Sequence, residues 1–308
     1  MANRYGIYCA SFTHAGGTLD LQQLDSQDLS SGSSYKSIRP GGALSPAAHI
    51  LSTANPRARF STTDILTVLT AMGGNFHLAC SGGHVMRYQK RLAGGAFATG
   101  GSHFIQSTAK GFLHVVSIDV DIDSDDGARM ELEYVPLSVA GENPITDTPS
   151  QSLASAPVPA FMSQYFMGGV YLGTDQLLGL RRMSWRPGIR FTDRRSDGGV
   201  FSRYDSSSIT AYTLMINLQF LNVEIPTTIG TTFLNALGAA IKGYLQRGTT
   251  ATDGRIAAAT TSHIKIAAAA GSWGVDNYSV SGEDDAMSSV GVMPTGTLTP
   301  TLGVALAA

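Results

Sequence analysis

The chain has 308 residues, of which 43% are hydrophobic and 14% are charged, and its formal net charge at pH 7 is -2. This length can bury one large or two ordinary cores, and the balanced charge argues against overall affinity for nucleic acid. No signal-peptide pattern and no run of 18 apolar residues occurs, so we expect neither signal-directed secretion nor membrane insertion. Charged residues are scarce and the 35 glycines are abundant, which is typical of a surface that packs against other proteins.

The first predicted helix follows Ser61. Ser61 and Asp64 resemble an N-cap with an acid three residues later, apolar residues recur at helical spacing from Ile65 to Met72, and Gly73 is a stop signal. The runs around this segment are β-type. We therefore expect one helix beside a mainly β unit.

An acidic β-hairpin is predicted next. The stretch HVVSIDVDID turns Val116, Ile118, Val120 and Ile122 inward and Ser117 outward, and RMELEYV alternates in the same way after the turn DSDDGA. The outward positions include a row of five acids: Asp119, Asp121, Asp123, Glu131 and Glu133. Like charges on adjacent strands repel, so such a row is destabilising unless it serves a purpose. Three interpretations are open: a calcium loop, a wall with an electrostatic purpose, or a plain solvated face. The EF-hand pattern fails, since Asp126 and Leu132 stand where it requires glycine and glutamate.

An arginine-rich segment lies between positions 181 and 203, RRMSWRPGIRFTDRRSDGGVFSR. The turn signals RPG and SDGG predict a long β-hairpin. Arginines interleaved with aromatic residues can bind nucleic acid, but docking on an acidic face of a neighbouring subunit is the favoured interpretation. The candidate inter-subunit residues are Arg181, Arg182, Arg186, Arg190, Arg194 and Arg195.

A long amphipathic strand and a second helix are predicted beyond the arginines. AYTLMINLQFLNVE alternates with Tyr212, Leu214, Ile216, Leu218 and Phe220 on one face. The segment from Thr227 to Gly238 places Phe233, Leu234 and Leu237 at helical spacing. These elements repeat the composition of the first half of the chain.

The repetition extends to the sequence itself. SHFIQSTAKG from Ser102 resembles SHIKIAAAAG from Ser262, with six of 19 residues identical over 102–120 and 262–280, and 62–73 matches 227–238 at six of 12 positions. Unrelated sequences match at roughly 6–8% of positions, so we predict an internal duplication. The expected organisation is a first β domain (1–137), a Pro/Ser/Ala-rich linker (138–161), a second β domain (162–296) and a C-terminal tail (297–308).

No catalytic or cofactor motif is present. Cys80 and His84 in CSGGH have no partner pair at zinc spacing, and we interpret them as a buried thiol and a loop histidine. His103 and His263 occupy equivalent positions of the two copies, which favours a structural role. We expect no enzymatic activity, no cofactor and no metal ion.

The two copies end on similar motifs, GFLHVVSIDVDIDSDDGARMELEYVP from Gly111 and GSWGVDNYSVSGEDDAMSSVGVMPTG from Gly271. These motifs resemble the closing strands of the major tail tube proteins of long-tailed bacteriophages, and LGLRRMSWRPGIRF from Leu178 resembles the entry to the long hairpin loop of that family. The resemblance implies two tandem β-barrel or sandwich domains, each with a flanking helix and a long hairpin loop. A duplicated member implies trimeric rings of pseudo-sixfold symmetry.

The resemblance also implies a place in the virion. The subunit is expected in the viral tail, assembled in the host cytoplasm into a tube for genome ejection, with tape measure and tail terminator proteins as partners. Viral DNA is expected to pass without specific binding, and the five acids are expected to line the lumen, because a wall without cations offers DNA no counterion-releasing sites. The alternatives are a tail terminator, baseplate or decoration protein, or a carbohydrate-binding adhesin with Trp185 and Trp273 as stacking platforms.

Overall fold

The computed structural model describes residues 4–41, 44–92, 98, 100–123, 127–139, 141–153, 164–192, 194–195, 200–203, 209–221, 234–236, 240–249, 254–279 and 287–306. The fold is mainly β, as predicted, and all strand pairings between named strands are antiparallel. The elements of the first half are β1 (Arg4–His14), β2 (Gly17–Leu21), β3 (Leu24–Ser30), β4 (Ser33–Ile38), β5 (Ala48–Ala54), β6 (Arg57–Thr62), α1 (Ile65–Met72), β7 (His77–Cys80), β8 (His84–Arg91), β9 (His103–Thr108), β10 (Gly111–Asp121), β11 (Arg129–Pro136) and β12 (Ile145–Gln151).

The elements of the second half are β13 (Tyr165–Leu172), β14 (Asp175–Gln176), β15 (Leu180–Arg186), β16 (Ile189–Phe191), β17 (Arg194–Arg195), β18 (Ser202–Arg203), β19 (Ile209–Tyr212), β20 (Met215–Phe220), β21 (Leu234–Ala236), β22 (Ile241–Arg247), β23 (His263–Ala268), β24 (Gly271–Ser279), β25 (Met287–Pro294) and β26 (Thr299–Val304).

Three large sheets organise the chain. Each half forms its own five-stranded sheet, in the order β12-β9-β8-β1-β2 and β26-β23-β22-β13-β14. The remaining long strands of both halves form one ten-stranded sheet, in the order β21-β24-β25-β20-β15-β10-β11-β6-β3, with β7 paired to part of β10. Two shorter hairpin arms, β4–β5 and β16–β19, extend from the ends of β3 and β15.

The two halves share the same strand order. In the large sheet the run β10-β11-β6-β3 of the first half corresponds to β24-β25-β20-β15 of the second. The irregularities correspond as well, because the β-bulge between Val115 and Ser117 has its counterpart between Val275 and Asn277. A bulge inserts one residue into a strand, so a shared bulge is a specific point of likeness. The duplication itself stays a prediction.

The hydrophobic core lies between the large sheet and the two smaller ones. In the first half Phe12 of β1 meets Phe60 of β6 edge-on, with ring centroids 5.4 Å apart. The hydroxyl groups of Thr108 and Tyr134 lie 2.7 Å apart and join the same two layers. One continuous cluster of buried side chains runs through both halves, so their cores merge at the boundary.

Helix α1 differs from its prediction at its start. Ser61 lies in β6, and the helix begins at Ile65 with Asp64 as its N-cap. The backbone N–H of Asp64 donates to Oγ1 of Thr62 at 3.1 Å, so the strand residue supplies the local hydrogen bond. The apolar face, Ile65, Val68, Leu69 and Met72, is buried as the spacing predicted.

The second predicted helix is not found in the residues that the structure describes. Leu234–Ala236, inside that segment, forms β21 and pairs with β24 from Ser272 to Gly274. Most of 227–238 lies outside the described residues. A mixed Thr, Leu and Ala composition suits both helix and strand, and pairing with the sheet decides the outcome here.

Both segments predicted as connections contain strands. Ile145–Gln151, within the linker, forms β12 and pairs with β9. Thr299–Val304, within the C-terminal tail, forms β26 and pairs with β23. Each strand is the outermost on its five-stranded sheet, a position that tolerates proline.

The predicted strand at 212–220 is interrupted. Ile216, Leu218 and Phe220 are buried on one face of β20, as the alternation predicted. Tyr212 is 41% exposed and belongs to the arm strand β19. The chain therefore enters the large sheet only at Met215, after the arm has ended at Tyr212.

Candidate assembly interface

The two halves join at a pairing between the C-terminal part of β10 and β15. The register runs from Ile118 opposite Trp185 to Asp121 opposite Arg182. The backbone N–H of Ile122 donates to the carbonyl of Arg181 at 2.9 Å. We call this pairing the internal junction.

Trp185 lies at the internal junction and is the largest fully buried side chain among those that the structure describes. It packs against β22, where a Cβ atom on Gly243 would come within 2.4 Å of the indole ring. Only glycine at position 243 leaves room for this approach. Because Trp185 is 0% exposed, its interpretation as a sugar-stacking platform is wrong, and the side chain of Trp273 lies outside the described residues.

The acids of β10 face arginines of β15 across the internal junction. Asp123 Oδ2 lies 2.9 Å from Nε of Arg181, and Asp119 Oδ1 lies 3.9 Å from an Nη atom of Arg182. Asp121 accepts a hydrogen bond from the backbone N–H of Asp123 at 3.0 Å. These pairs are partly exposed, so each contributes little to stability.

Glu133 does not belong to an open acidic face. It is buried at the register position opposite His114, and its carboxylate contacts Arg57, Arg59 at 3.2 Å and Nε2 of His114 at 3.5 Å. Burial alone would raise the pKa of Glu133, but His114 and Arg57 outweigh it and lower the pKa to about 2. Glu131, two residues earlier, is exposed.

A bulge in β10 causes a second departure from the predicted alternation. Ser117 is buried and Val116 is half-buried, the reverse of the predicted alternation. The extra residue between Val115 and Ser117 shifts the side-chain alternation by one position. Beyond the bulge Ile118 and Val120 are buried and Asp119 and Asp121 are half-buried, as predicted.

The predicted arginine hairpin divides between the sheet and an arm. Arg181, Arg182 and Arg186 lie on β15, and Arg190 lies on β16, where its side chain is exposed. Arg194 and Arg195 form β17, and their side chains lie outside the described residues. The acidic partners of Arg181 and Arg182 are in the same chain rather than in another subunit.

The β16–β19 arm lies on the outer surface of the first half. Phe191 stacks on Phe112 with ring centroids 5.9 Å apart and planes inclined by 30°, and it lies 5.1 Å from the ring of His114. Val135 and Leu137 complete this small apolar cluster. The arm therefore adds a second contact to the internal junction.

Apart from the outer sides of the short strands β7 and β21, two stretches of the large sheet lack a partner strand among the described residues. One is the outer side of β3, and the other is the C-terminal part of β24 beyond the three residues paired with β21. β3 corresponds in the sheet order to β15, and β24 corresponds to β10. The open edges are thus the counterparts of the two strands that meet at the internal junction.

A cleft of ≈ 490 Å³ lies beside the β3 edge. It is lined by Tyr5, Tyr88 and Phe104 of the smaller sheet and by β3 from Gln27 to Leu29. Both side-chain polar atoms of Gln27 are buried without a hydrogen-bond partner. The position of β15 that corresponds to Leu29 is Trp185, whose indole fills the interior of the second half. The interior beside the β3 edge is therefore less well filled than the interior at the internal junction.

The cysteine and histidine side chains singled out in the sequence are buried or hydrogen-bonded. Burial raises the pKa of the Cys80 thiol to about 12 and lowers the pKa of His84 to about 3. His84 lies in β8, not in a loop, and its ring lies 4.3 Å from that of Tyr134. His103 Nδ1 accepts from the N–H of Lys90 at 3.1 Å, and His263 Nδ1 accepts equivalently from Arg247. Within the described ranges no three His, Cys, Asp or Glu side chains form a group that could hold a metal ion.

Comparison with known proteins adds no assignment. No protein-family model matches the chain, and no curated protein matches it either. A search of the described residues finds no helix with the length and apolar character needed to cross a membrane.

Proposed function

We propose that this protein is a structural virion protein, the major tail tube subunit of a bacteriophage, which assembles into stacked trimeric rings around a channel for genome delivery. The observation that carries the proposal is the ten-stranded sheet, which continues across the two halves and has open edges at β3 and at the C-terminal part of β24, the counterparts of the joined strands. A surface that fits its own counterpart on another copy makes a heterologous contact, and such contacts produce rings or filaments.

The internal junction supplies a template for the contact between copies. Placing β24 of one chain beside β3 of the next would repeat the β10–β15 pairing and extend the sheet around a ring. Three chains would contribute six halves, the number implied by the resemblance to tail tube proteins. Ring closure would remove both open edges, which otherwise invite uncontrolled pairing.

The backbone of β3 is suited to this pairing. Because the carbonyl of Arg181 accepts from β10, alternate residues of β15 direct their polar groups towards β10. The corresponding residues of β3 are Asp25, Gln27 and Leu29, since both strands have a register shift after their first residue, Leu24 or Leu180. Their N–H and C=O groups are directed away from β6, to the open edge.

The acidic residues have a narrower role in this proposal. Asp119, Asp121, Asp123 and Glu131 remain candidates for the wall of the channel, although Arg181 and Arg182 neutralise part of their charge. Glu133 leaves the set because it is buried among cations. Tape measure and tail terminator proteins are the proposed partners at the tube ends, and DNA would pass through without specific binding.

The proposal is tested by negative-stain electron microscopy of the purified protein at increasing concentration, with its mass measured in solution. Stacked rings of three chains per layer are the expected result. The edge variant Gln27→Pro removes an outward N–H and should abolish rings, while Gln27→Ala, which keeps that N–H, should retain them. A folded monomer that never associates at any concentration would overturn the proposal.

A further inference from the structure

The β4–β5 arm exposes an unusual number of large apolar side chains. Tyr35 is 62% exposed, Ile50 is 54% exposed and Ile38 is 43% exposed. Leu44, between the two strands, is 95% exposed. Exposed apolar groups concentrated on one projecting element mark an interaction surface.

The other arm shows what such an element contacts. The β4–β5 and β16–β19 arms have the same register shift, between Ser34 and Tyr35 and between Arg190 and Phe191. Each arm is entered through a glycine in the left-handed region, Gly32 with φ 54° or Gly188 with φ 60°. Tyr35 therefore corresponds to Phe191.

Phe191 packs into an apolar site on the first half, which we call the seat. The seat consists of Phe112 and Val135, which lie opposite each other on β10 and β11 and are 3% and 1% exposed. Leu137 and the ring of His114 border it. The arm of the second half thus covers an apolar pair of the first.

The corresponding seat on the second half is not covered by any of the described residues. Ser272 and Met293 lie opposite each other on β24 and β25, in the register positions of Phe112 and Val135. Ser272 is exposed, and Met293 is 60% exposed. Within the part of the chain that the structure describes, one arm therefore lacks a docking site and one such site lacks an arm, and they lie on opposite halves.

We infer that the β4–β5 arm docks on a second copy of this chain, with Tyr35 against Met293 on the β24–β25 surface. This inference rests on the proposed ring, and it adds the contact that would fix how neighbouring copies meet. A thioether beside an aromatic ring is a favourable contact, and a flexible methionine can adapt to a tyrosine that replaces the phenylalanine of the template.

The charges at the internal junction differ from those at the proposed contact between copies. The internal junction has Arg181 and Arg182 opposite the acids of β10. The corresponding positions of β3 are Asp25 and Ser26, and the β24 position corresponding to Asp119 is Ser279. Docking between copies therefore depends on apolar contact and backbone hydrogen bonds, and added salt should change it less than about twofold.

Thiol cross-linking tests the contact directly. In a chain carrying both Tyr35→Cys and Met293→Cys, a short bifunctional thiol reagent should link copies into dimers and then closed trimers. A mixture of the two single variants should stop at dimers, because each pair offers one link. Either single variant alone should show no cross-linked product on a denaturing gel, and neither should the parent chain, whose Cys9 and Cys80 are buried.

The template provides a matched control. Phe191→Cys with Val135→Cys should react within one chain and leave its mass on a denaturing gel unchanged, because these residues belong to one cluster. Tyr35→Asp should reduce the yield of rings at least about tenfold, while Tyr35→Phe should preserve it. Both variants should unfold like the parent, since Tyr35 is mostly exposed.

The outcomes separate the two proposals. Rings visible by microscopy without any Tyr35→Cys/Met293→Cys product would overturn the docking inference and leave the tube proposal intact. Rings that form equally well with Tyr35→Asp would do the same. Absence of association under every condition would overturn both.

Discussion

Trp185 of β15 lies directly opposite Ile118 of β10, and this cross-strand pair marks the place where the two halves of the chain become one sheet. The indole is fully buried, against β22 on one side and the sheet on the other. The pair therefore links the stability of both halves.

Replacing Trp185 with alanine should be strongly destabilising. Loss of a buried tryptophan leaves a cavity, and we expect a decrease of about 3–5 kcal/mol in the free energy of unfolding, measured in denaturant. Leu29→Ala, at the corresponding position of the open β3 edge, should cost no more than about 1–2 kcal/mol, since Leu29 is only half-buried. Equal losses would mean that the internal junction has no special role in stability.

Glu133 should make stability depend on acidity. Its pKa in the folded chain is about 2, below the ordinary value of 4.5, so its contribution is present above pH 4.5 and is lost as the pH falls towards 2. Glu133→Gln should lower stability at pH 7 by on the order of 2–3 kcal/mol and flatten the unfolding profile in that interval. The exposed neighbour Glu131 is the control, and Glu131→Gln should leave the profile nearly unchanged.

His103 and His263 should each protect one specific backbone amide from exchange. His103→Ala and His263→Ala each remove a buried acceptor, from the N–H of Lys90 and of Arg247 respectively. Each should cost about 1–3 kcal/mol. Hydrogen exchange at the Lys90 amide should accelerate in the first variant and at the Arg247 amide in the second. Uniform acceleration across the sheet in both variants would contradict this assignment.

The ion pairs at the internal junction should contribute little. Arg181 and Asp123 are 35% and 60% exposed at the side chain, so a double-mutant cycle with Arg181→Gln and Asp123→Asn should give a coupling below about 1 kcal/mol, decreasing with salt. A coupling several times larger, unaffected by salt, would require these charges to be shielded from solvent.

Local sequence patterns predicted which residues form strands better than which strands and side chains contact each other. Alternation identified the buried face of β20 and the inward residues Ile118 and Val120, because each strand presents one face to the core. The bulge after Val115 has no local sequence signature, so the alternation pattern places Ser117 on the wrong face of the strand. Burial of Glu133 depends on Arg57 and Arg59, more than 70 positions earlier in the chain, and no short pattern contains that pairing.

The candidate interface was predicted only in part. An arginine-rich segment facing acids follows from sequence, and β15 does contact β10. That both partners lie in one chain could not be predicted, since it depends on which strands become neighbours. The open counterparts β3 and β24 became recognisable only from the order of strands in the sheet.

The covalent connection between the two halves also changes how the β10–β15 contact forms. Partners on separate chains meet at a rate set by their concentration, whereas partners on one chain meet at the fixed effective concentration that their connection imposes. This contact is therefore made as the polypeptide folds, at any expression level. Dilution can dissolve contacts between copies but leaves this one in place.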